Sequence, residues 1–300
     1  MSGIEDLREE LRQSREALRE AYLKGSKSPA WLLRAQARLI DRVLAALWKS
    51  NRPPSTMALV ATGGYGRGEQ YPSSDVDVLV LLGKEPTESE GEQIERLIGL
   101  FWDVGLEIGH SVRTVEACVE LAGTDITIET SLLEARPLAG STALYRRLAK
   151  AIERIVEPAA FLKAKRLEQE QRHAKHRDTP YALEPNLKEA PGGMRDLQVI
   201  QWIARASGIS KGLGQRWTDL VTHKLIERGE ARELAKLETH LQDLRIRLHY
   251  LAGRREDRLV FDLQSALAAQ LGHKDTPARR ASEAMLSGYL FLSDSVPTSL

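Results

Sequence analysis

Met57-Ala58-Leu59-Val60-Ala61, then Thr62-Gly63-Gly64-Tyr65-Gly66-Arg67-Gly68-Glu69, then Ser73-Ser74-Asp75-Val76-Asp77-Val78-Leu79-Val80-Leu81-Leu82: reading this stretch decides the fold. The first five residues are a short, wholly apolar run of the kind a buried strand carries, and the glycine-dense segment after them is a tight turn. Residues 76–82 predict a second strand. Successive strand residues face opposite ways, so Val76, Val78 and Val80 point into a core while Asp75 and Asp77 share the other face.

Working outward, the pattern predicts a helix over 87–102, a strand over 106–112, a helix near 114–122 and a last strand over 132–138 ended by Gly140. Strands and helices therefore alternate over roughly 57–140, as in one compact α/β unit. Upstream, residues 4–24 read as an amphipathic helix capped by Gly25. Ser28-Pro29 then starts a second helix that carries Trp31, Leu32, Leu39, Val43 and Leu47 as far as Asn51-Arg52-Pro53-Pro54. Both read as scaffold. Downstream, helical periodicity covers 141–155, 158–177, 193–206, 217–252 and 276–293, with an irregular stretch from Pro180 to Gly193 and a loose tail over 293–300. The expected organisation is α+β: an N-terminal helical extension (1–54), an α/β domain (55–140) and an all-helical domain (141–300).

Composition narrows the classes. The chain has 300 residues, 42% hydrophobic and 28% charged, which excludes a disordered tail, a collagen-like rod and a disulfide scaffold. Forty-three basic and 42 acidic residues leave a formal net charge of +1, so no global field recruits nucleic acid or an anionic membrane. Cys118 is the single cysteine, which forbids an internal disulfide and suits a reducing cytosol. There is no run of about 18 apolar residues and no signal-like N-terminus, so a cytoplasmic protein is expected.

The chemistry concentrates in the opening stretch. Glycines alone mark any tight turn, and an acidic pair at a strand entrance is often just solvated. Together they say more. Two carboxylates side by side repel unless a cation lies between them, and hard oxygen ligands suit Mg²⁺ held jointly with substrate phosphates. The glycine turn can bring backbone N–H groups against those phosphates, and Arg67 adds a positive fork for the same anion. Such parts serve in-line displacement at phosphorus, which needs positioning and charge neutralisation rather than a covalent nucleophile. Neither a G-x-S-x-G elbow nor a G-x-x-x-x-G-K-[ST] loop is present. A third carboxylate is expected on a neighbouring strand. Glu134 is preferred, because an unpaired carboxylate among apolar neighbours is expensive; Asp125 is the alternative, although helix capping explains it. Arg136 would share the face of Glu134 and balance its charge or meet phosphate.

These residues resemble the signature of the DNA polymerase β-type nucleotidyltransferases. More narrowly, the chain is similar to the bifunctional uridylyltransferase/uridylyl-removing family that modifies the nitrogen-regulatory protein PII. Further blocks carry the likeness: Trp102 to Thr114, Ser131-Leu132-Leu133-Glu134-Ala135-Arg136, Leu183 to Gln198, and Asp257-Arg258-Leu259-Val260-Phe261-Asp262. The resemblance implies transfer of UMP from UTP to a tyrosine of PII with release of pyrophosphate. It implies Asp75 and Asp77 as metal ligands, with Glu134 at or near the third position. Gly63, Gly64, Arg67 and Ser74 would hold the nucleotide, and Asp77 or Glu134 could take the tyrosine proton. Full-length members continue into an HD-type phosphohydrolase domain and two ACT domains. The chain ends before either and has no His-Asp dipeptide, so uridylyl removal and glutamine control are expected to be absent. The alternatives are another nucleotide or acceptor protein, or a non-catalytic PII-binding module.

Outside that site, Lys188 and Arg195 near a helix N-terminus read either as part of a connector or as contacts for phosphate or PII. His173 and His176 read as surface, and His110 as packed. Arg245, Arg247, Arg254, Arg255 and Arg258 read as a solvated face laced with Glu256 and Asp257. Cys118 reads as core filler.

Overall fold

Two neighbouring strands carry the first half of the chain. β1 (Met57–Ala61) and β2 (Val76–Leu82) pair antiparallel with Leu59 opposite Val80. β3 (Ile108–Thr114) runs parallel to β2, and β4 (Arg136–Gly140) runs antiparallel to β1, giving a mixed sheet of order β3-β2-β1-β4. The computed structural model describes residues 2–176, 182–210, 216–277 and 279–293. The chain divides into two compact units, Met1–Val156 and Glu157–Leu300.

In the first unit, α1 (Ser2–Leu23) precedes α2 (Pro29–Asn51). The Ser28 hydroxyl caps α2 by accepting from the Trp31 N–H, as the Ser-Pro signal predicts. Leu39, Ile40, Val43, Leu44 and Leu47 of α2 share one core with Leu97 and Phe101 of α4 (Glu88–Asp103) and with Leu59, Ala61, Val76, Val78 and Val80 of the sheet. The other face of the sheet is buried as well, at Ala58, Val60, Leu79 and Leu81. There α7 (Thr142–Ile155) packs on β1 and β2, and α5 (Val115–Ala122) packs on β3. Helices on both faces explain why β1 is apolar throughout rather than alternating. Cys118 is fully buried as filler, and burial pushes its thiol pKa up to about 11.

The last expected strand is corrected. Residues 126–133 form a helix, α6 (Ile126–Leu133), and β4 starts only at Arg136. The apolar run Leu132-Leu133 fits either element; the cap decides. Asp125 accepts from the N–H groups of Thr127 at 2.7 Å and Ile128 at 3.2 Å, which fixes a helix start there. The capping explanation of Asp125 holds.

In the second unit every described element is a helix: α8 (Pro158–Lys175), α9 (Met194–Ala206), α10 (Arg216–Thr222), α11 (Arg228–Ala252), α12 (Phe261–Gln270) and α13 (Ala281–Ser293). The expected helix over 217–252 is two, because a capping box between Glu227 and Glu230 starts α11 afresh. The sequence reading missed α12. The expected tail beyond 293 and Pro180 lie outside the described residues.

Candidate active site

The glycine turn follows β1 directly as a single helical turn, α3 (Gly63–Gly66). Thr62 N–H donates to the Asp77 carbonyl at 3.0 Å, so the turn is tied to the start of β2. A Cβ on Gly66 would run into the backbone carbonyl of Glu134, so only glycine fits that approach. Asp77 stands opposite Gly109 of β3. A Cβ on Gly109 would lie 2.5 Å from one Asp77 carboxylate oxygen, and a Cβ on Gly63 would lie 3.3 Å from the other. The Asp77 carboxylate therefore occupies a cradle between two glycines. Asp75 is partly buried one residue before β2. The loop ahead of it is held by the Gln70 side-chain amide, which donates to the carbonyls of Ser74 at 2.6 Å and Asp75 at 3.4 Å.

Two of the expected site residues are engaged with each other. Arg67 Nε donates to Glu69 at 3.0 Å, and its Nη1 donates to both Glu134 oxygens at 2.7 and 2.6 Å. Burial works against the Arg67 charge, but Glu134 and Glu69 outweigh it and hold the guanidinium protonated more firmly than usual. Glu134, expected on a strand as a third metal carboxylate, is the C-terminal cap of α6, with its charge answered by arginine. Arg67, expected as a fork for phosphate, has its guanidinium on Glu69 and Glu134, which ties the turn to the end of α6. Among the described residues no three of His, Cys, Asp and Glu are grouped to hold a metal ion, so a metal would rest on Asp75 and Asp77.

A second brace was not foreseen. Arg136 donates to both oxygens of Asp41 on α2, at 2.8 and 2.9 Å, rather than to Glu134. Tyr65 of α3 donates its hydroxyl to the same Asp41 at 2.6 Å. Burial first, then the Asp41 charge, pushes the Tyr65 hydroxyl pKa well above its ordinary value. Asp41 lies 24 residues from Tyr65 and 95 from Arg136, so no local sequence signal joins them. His110, expected to be packed, is exposed on β3.

In the second unit the described part of the irregular stretch, 182–193, is bonded to the segment after α11: the Leu187 N–H donates to the Asp257 carbonyl at 2.8 Å and the Leu259 N–H to the Pro185 carbonyl at 2.9 Å. Asn186 Oδ1 accepts from the N–H groups of Lys188 at 3.0 Å and Glu189 at 2.7 Å. Asp196, fully buried, accepts from Arg172 at 2.5 Å, from Gln169 at 3.0 Å and from the Gly192 N–H at 2.8 Å, with His173 Nε2 also 3.0 Å away. His173 is thus buried rather than on the surface. Arg245 is likewise buried, donating to Asp257 at 2.6 Å, while Arg254 remains exposed beside Glu256.

Strand, glycine turn and strand, with two aspartates at the mouth of the second strand, form the layout expected of a nucleotidyltransferase. Residues 10–109, within the first unit, match the DUF294 nucleotidyltransferase family model. Residues 160–296 match the GlnD PII-uridylyltransferase family model. The chain is 52% identical over 265 residues to the bifunctional uridylyltransferase/uridylyl-removing enzyme of Burkholderia thailandensis, covering 88% of this chain and 30% of that protein. It is 46% identical over 288 residues to the enzyme of the same name from Aromatoleum aromaticum, covering 96% of this chain and 33% of that one. The chain is similar to the bifunctional uridylyltransferase/uridylyl-removing enzymes, and it spans about a third of the length of the curated relatives it matches. A solved crystal structure of a toxin–antitoxin with AMP-PNP overlaps 46% of the chain at 15% identity and a TM-score of 0.26, too low to bear on the fold. Among the described residues no helix is long and apolar enough to cross a membrane.

Proposed function

We propose that the chain is a cytoplasmic enzyme that transfers UMP from UTP to a tyrosine hydroxyl of PII and releases pyrophosphate. The observation that carries this is the Asp77 carboxylate, cradled by Gly63 and Gly109 beside the glycine turn. Asp75 and Asp77 offer hard oxygen donors at one strand mouth, which fits a divalent ion such as Mg²⁺. When bound there, the ion would neutralise charge on the phosphates during displacement. The chain's own residues do the rest. Thr62 makes no side-chain hydrogen bond to the start of α3, so the first N–H groups of the turn, at Gly63 and Gly64, are presented to the triphosphate. Ser74, beside Asp75 and fixed through its carbonyl by Gln70, lies within the same loop. Arg67, Glu69 and Glu134 hold the turn rigid, so its donors are positioned before the nucleotide arrives. As the tyrosine hydroxyl passes its proton to the Asp77 carboxylate, its oxygen attacks the α-phosphorus, the bond from that phosphorus to the α,β-bridging oxygen breaks, and pyrophosphate leaves with the electron pair.

The test is mass analysis of PII after incubation with the chain, Mg²⁺ and either UTP or ATP. A gain of one UMP on PII, from UTP alone, is the expected result. A gain of AMP would move the reading to another nucleotide. Mg²⁺-dependent UTP binding without transfer would point to another acceptor, and absence of binding would point to a non-catalytic PII-binding module.

A further inference from the structure

Tyr65 is the one residue of α3 that carries a side chain; Gly63, Gly64 and Gly66 contribute only backbone. Its ring is 1% exposed, and its hydroxyl ends on Asp41 of α2. Arg136, the first residue of β4, closes the figure. It donates twice to Asp41, its guanidinium carbon lies 5.3 Å from the centre of the Tyr65 ring, and its Nη2 donates to the Tyr65 carbonyl at 3.4 Å. The tyrosine is therefore held at its hydroxyl, its ring face and its own backbone carbonyl. A glycine-rich turn has high conformational freedom when unrestrained, so these contacts reduce the ensemble to one place for the 63–66 backbone. The other brace, Arg67 on Glu134 and Glu69, acts just past the C-terminal end of the turn; Asp41 acts at its middle.

We propose that Asp41 is a positioning residue for nucleotide binding: through Tyr65 and Arg136 it fixes the α3 backbone relative to the Asp77 carboxylate. This rests on the reading of α3 as the triphosphate cradle, and it makes α2 part of the site rather than scaffold. Asp41 touches no substrate. Its effect is preorganisation, which strengthens ligand binding by removing an ordering cost.

The test compares Asp41→Asn with the double variant Asp41→Asn/Arg136→Gln in the full chain. Three readouts are taken: amide hydrogen exchange of residues 63–68, the UTP KM and kcat, and the thermal midpoint. Asp41→Asn should raise the KM for UTP about tenfold, as expected for one lost charge-assisted hydrogen bond, with kcat within about twofold. Exchange over 63–68 should quicken while β1 and β2 stay protected. The double variant leaves no unpaired guanidinium, so its midpoint should recover, but KM should stay raised because nothing clamps the tyrosine. Recovery of KM together with the midpoint would show a merely structural role and overturn the proposal, as would unchanged exchange and KM in Asp41→Asn. If the wild type binds no UTP, the nucleotide reading fails on its own, and the exchange measurement still decides whether Asp41 fixes the turn.

Discussion

Two glycine-bearing segments, Gly63 to Glu69 in the first unit and residues 184–193 in the second, each lead into or through a helical turn and are each braced by arginines and carboxylates. They differ in where their backbone N–H groups go. At α3 the capping residue gives no side-chain acceptor, and a carboxylate stands nearby in a glycine cradle. In the second loop the donors are spent: Lys188 and Glu189 on Asn186, Gly192 on Asp196, Met194 on the Leu187 carbonyl and Arg195 on the Lys188 carbonyl. The cations there are matched too. Arg195 pairs with Glu189 at 2.9 Å and lies over the Trp202 ring, and Lys188 Nζ is 3.6 Å from Glu189. The difference is confined to the start of the turn, because the N–H groups of Gly66, Arg67, Gly68 and Glu69 are also taken, by the carbonyls of Thr62, Gly63, Tyr65 and Gly64. The second loop favours the connector reading over the phosphate-binding one.

The sharpest way to break this comparison is at the aspartates. Asp75→Asn and Asp77→Asn should each cut transfer roughly a thousandfold, the loss expected for several kcal/mol of metal-mediated charge stabilisation. Their far-ultraviolet circular dichroism and thermal midpoints should stay near wild type, since neither carboxylate is fully buried. Near wild-type turnover in either variant would remove the open site from the first unit.

The counterpart in the second unit is Asp196→Asn. It leaves the Arg172 guanidinium, only 10% exposed, without its buried carboxylate. Breaking a buried pair costs about 3 kcal/mol or more, so urea unfolding should shift by that amount while the dissociation constant for Mg²⁺-UTP stays unchanged. A fall in UTP affinity of similar size would erase the distinction between a cradle and a connector. A smaller loss, about 1–3 kcal/mol, is expected for Gly193→Ala, whose Cβ would meet the carbonyls of Ala190, Lys188 and Leu187 at 2.8 to 3.1 Å. Wild-type urea stability in that variant would mean that the loop yields easily and is not the tight structure described.

What the sequence disclosed follows from range. β1 and β2 were legible because each is a short apolar run bounded by turn residues, and the Ser28-Pro29 start because capping is local. α6 was legible only at its cap: Asp125 reads as a helix start, but the apolar Leu132-Leu133 carries no period and fits the end of a helix as well as a strand. The case of Glu134 is the more instructive. A buried carboxylate had to find a positive partner, and that much could be read from its apolar neighbours. Whether the partner is a metal or an arginine 67 residues away is decided by tertiary folding, which put Arg67 there. Asp41 gave no signal at all, since an aspartate on a helix reads as solvated until its distant partners are seen.

The finest distinction between the two regions concerns how well the cations are matched. Arg67 is held protonated by two carboxylates, whereas Lys188 has its pKa pushed down to about 8, first by burial and then by the neighbouring Arg195 and Arg245 charges. Below about pH 8 the lysine is charged in both folded and unfolded chains, so the cost of burying the charge is present in full. Between about 8 and the unfolded value near 10.4, the folded chain binds fewer protons than the unfolded one, and this lysine's contribution to stability rises with pH. Lys188→Met removes that titration. The stability advantage of the variant over wild type, from urea unfolding of the full chain, should therefore shrink by on the order of 2 kcal/mol between pH 7.5 and 10. Taking the difference cancels the other groups that titrate over that range, provided they do so alike in both proteins. A constant difference would mean that Glu189 and Asp257 hold the proton on Lys188 against burial, and the cations of the second loop would then be matched as closely as Arg67 is in the first unit.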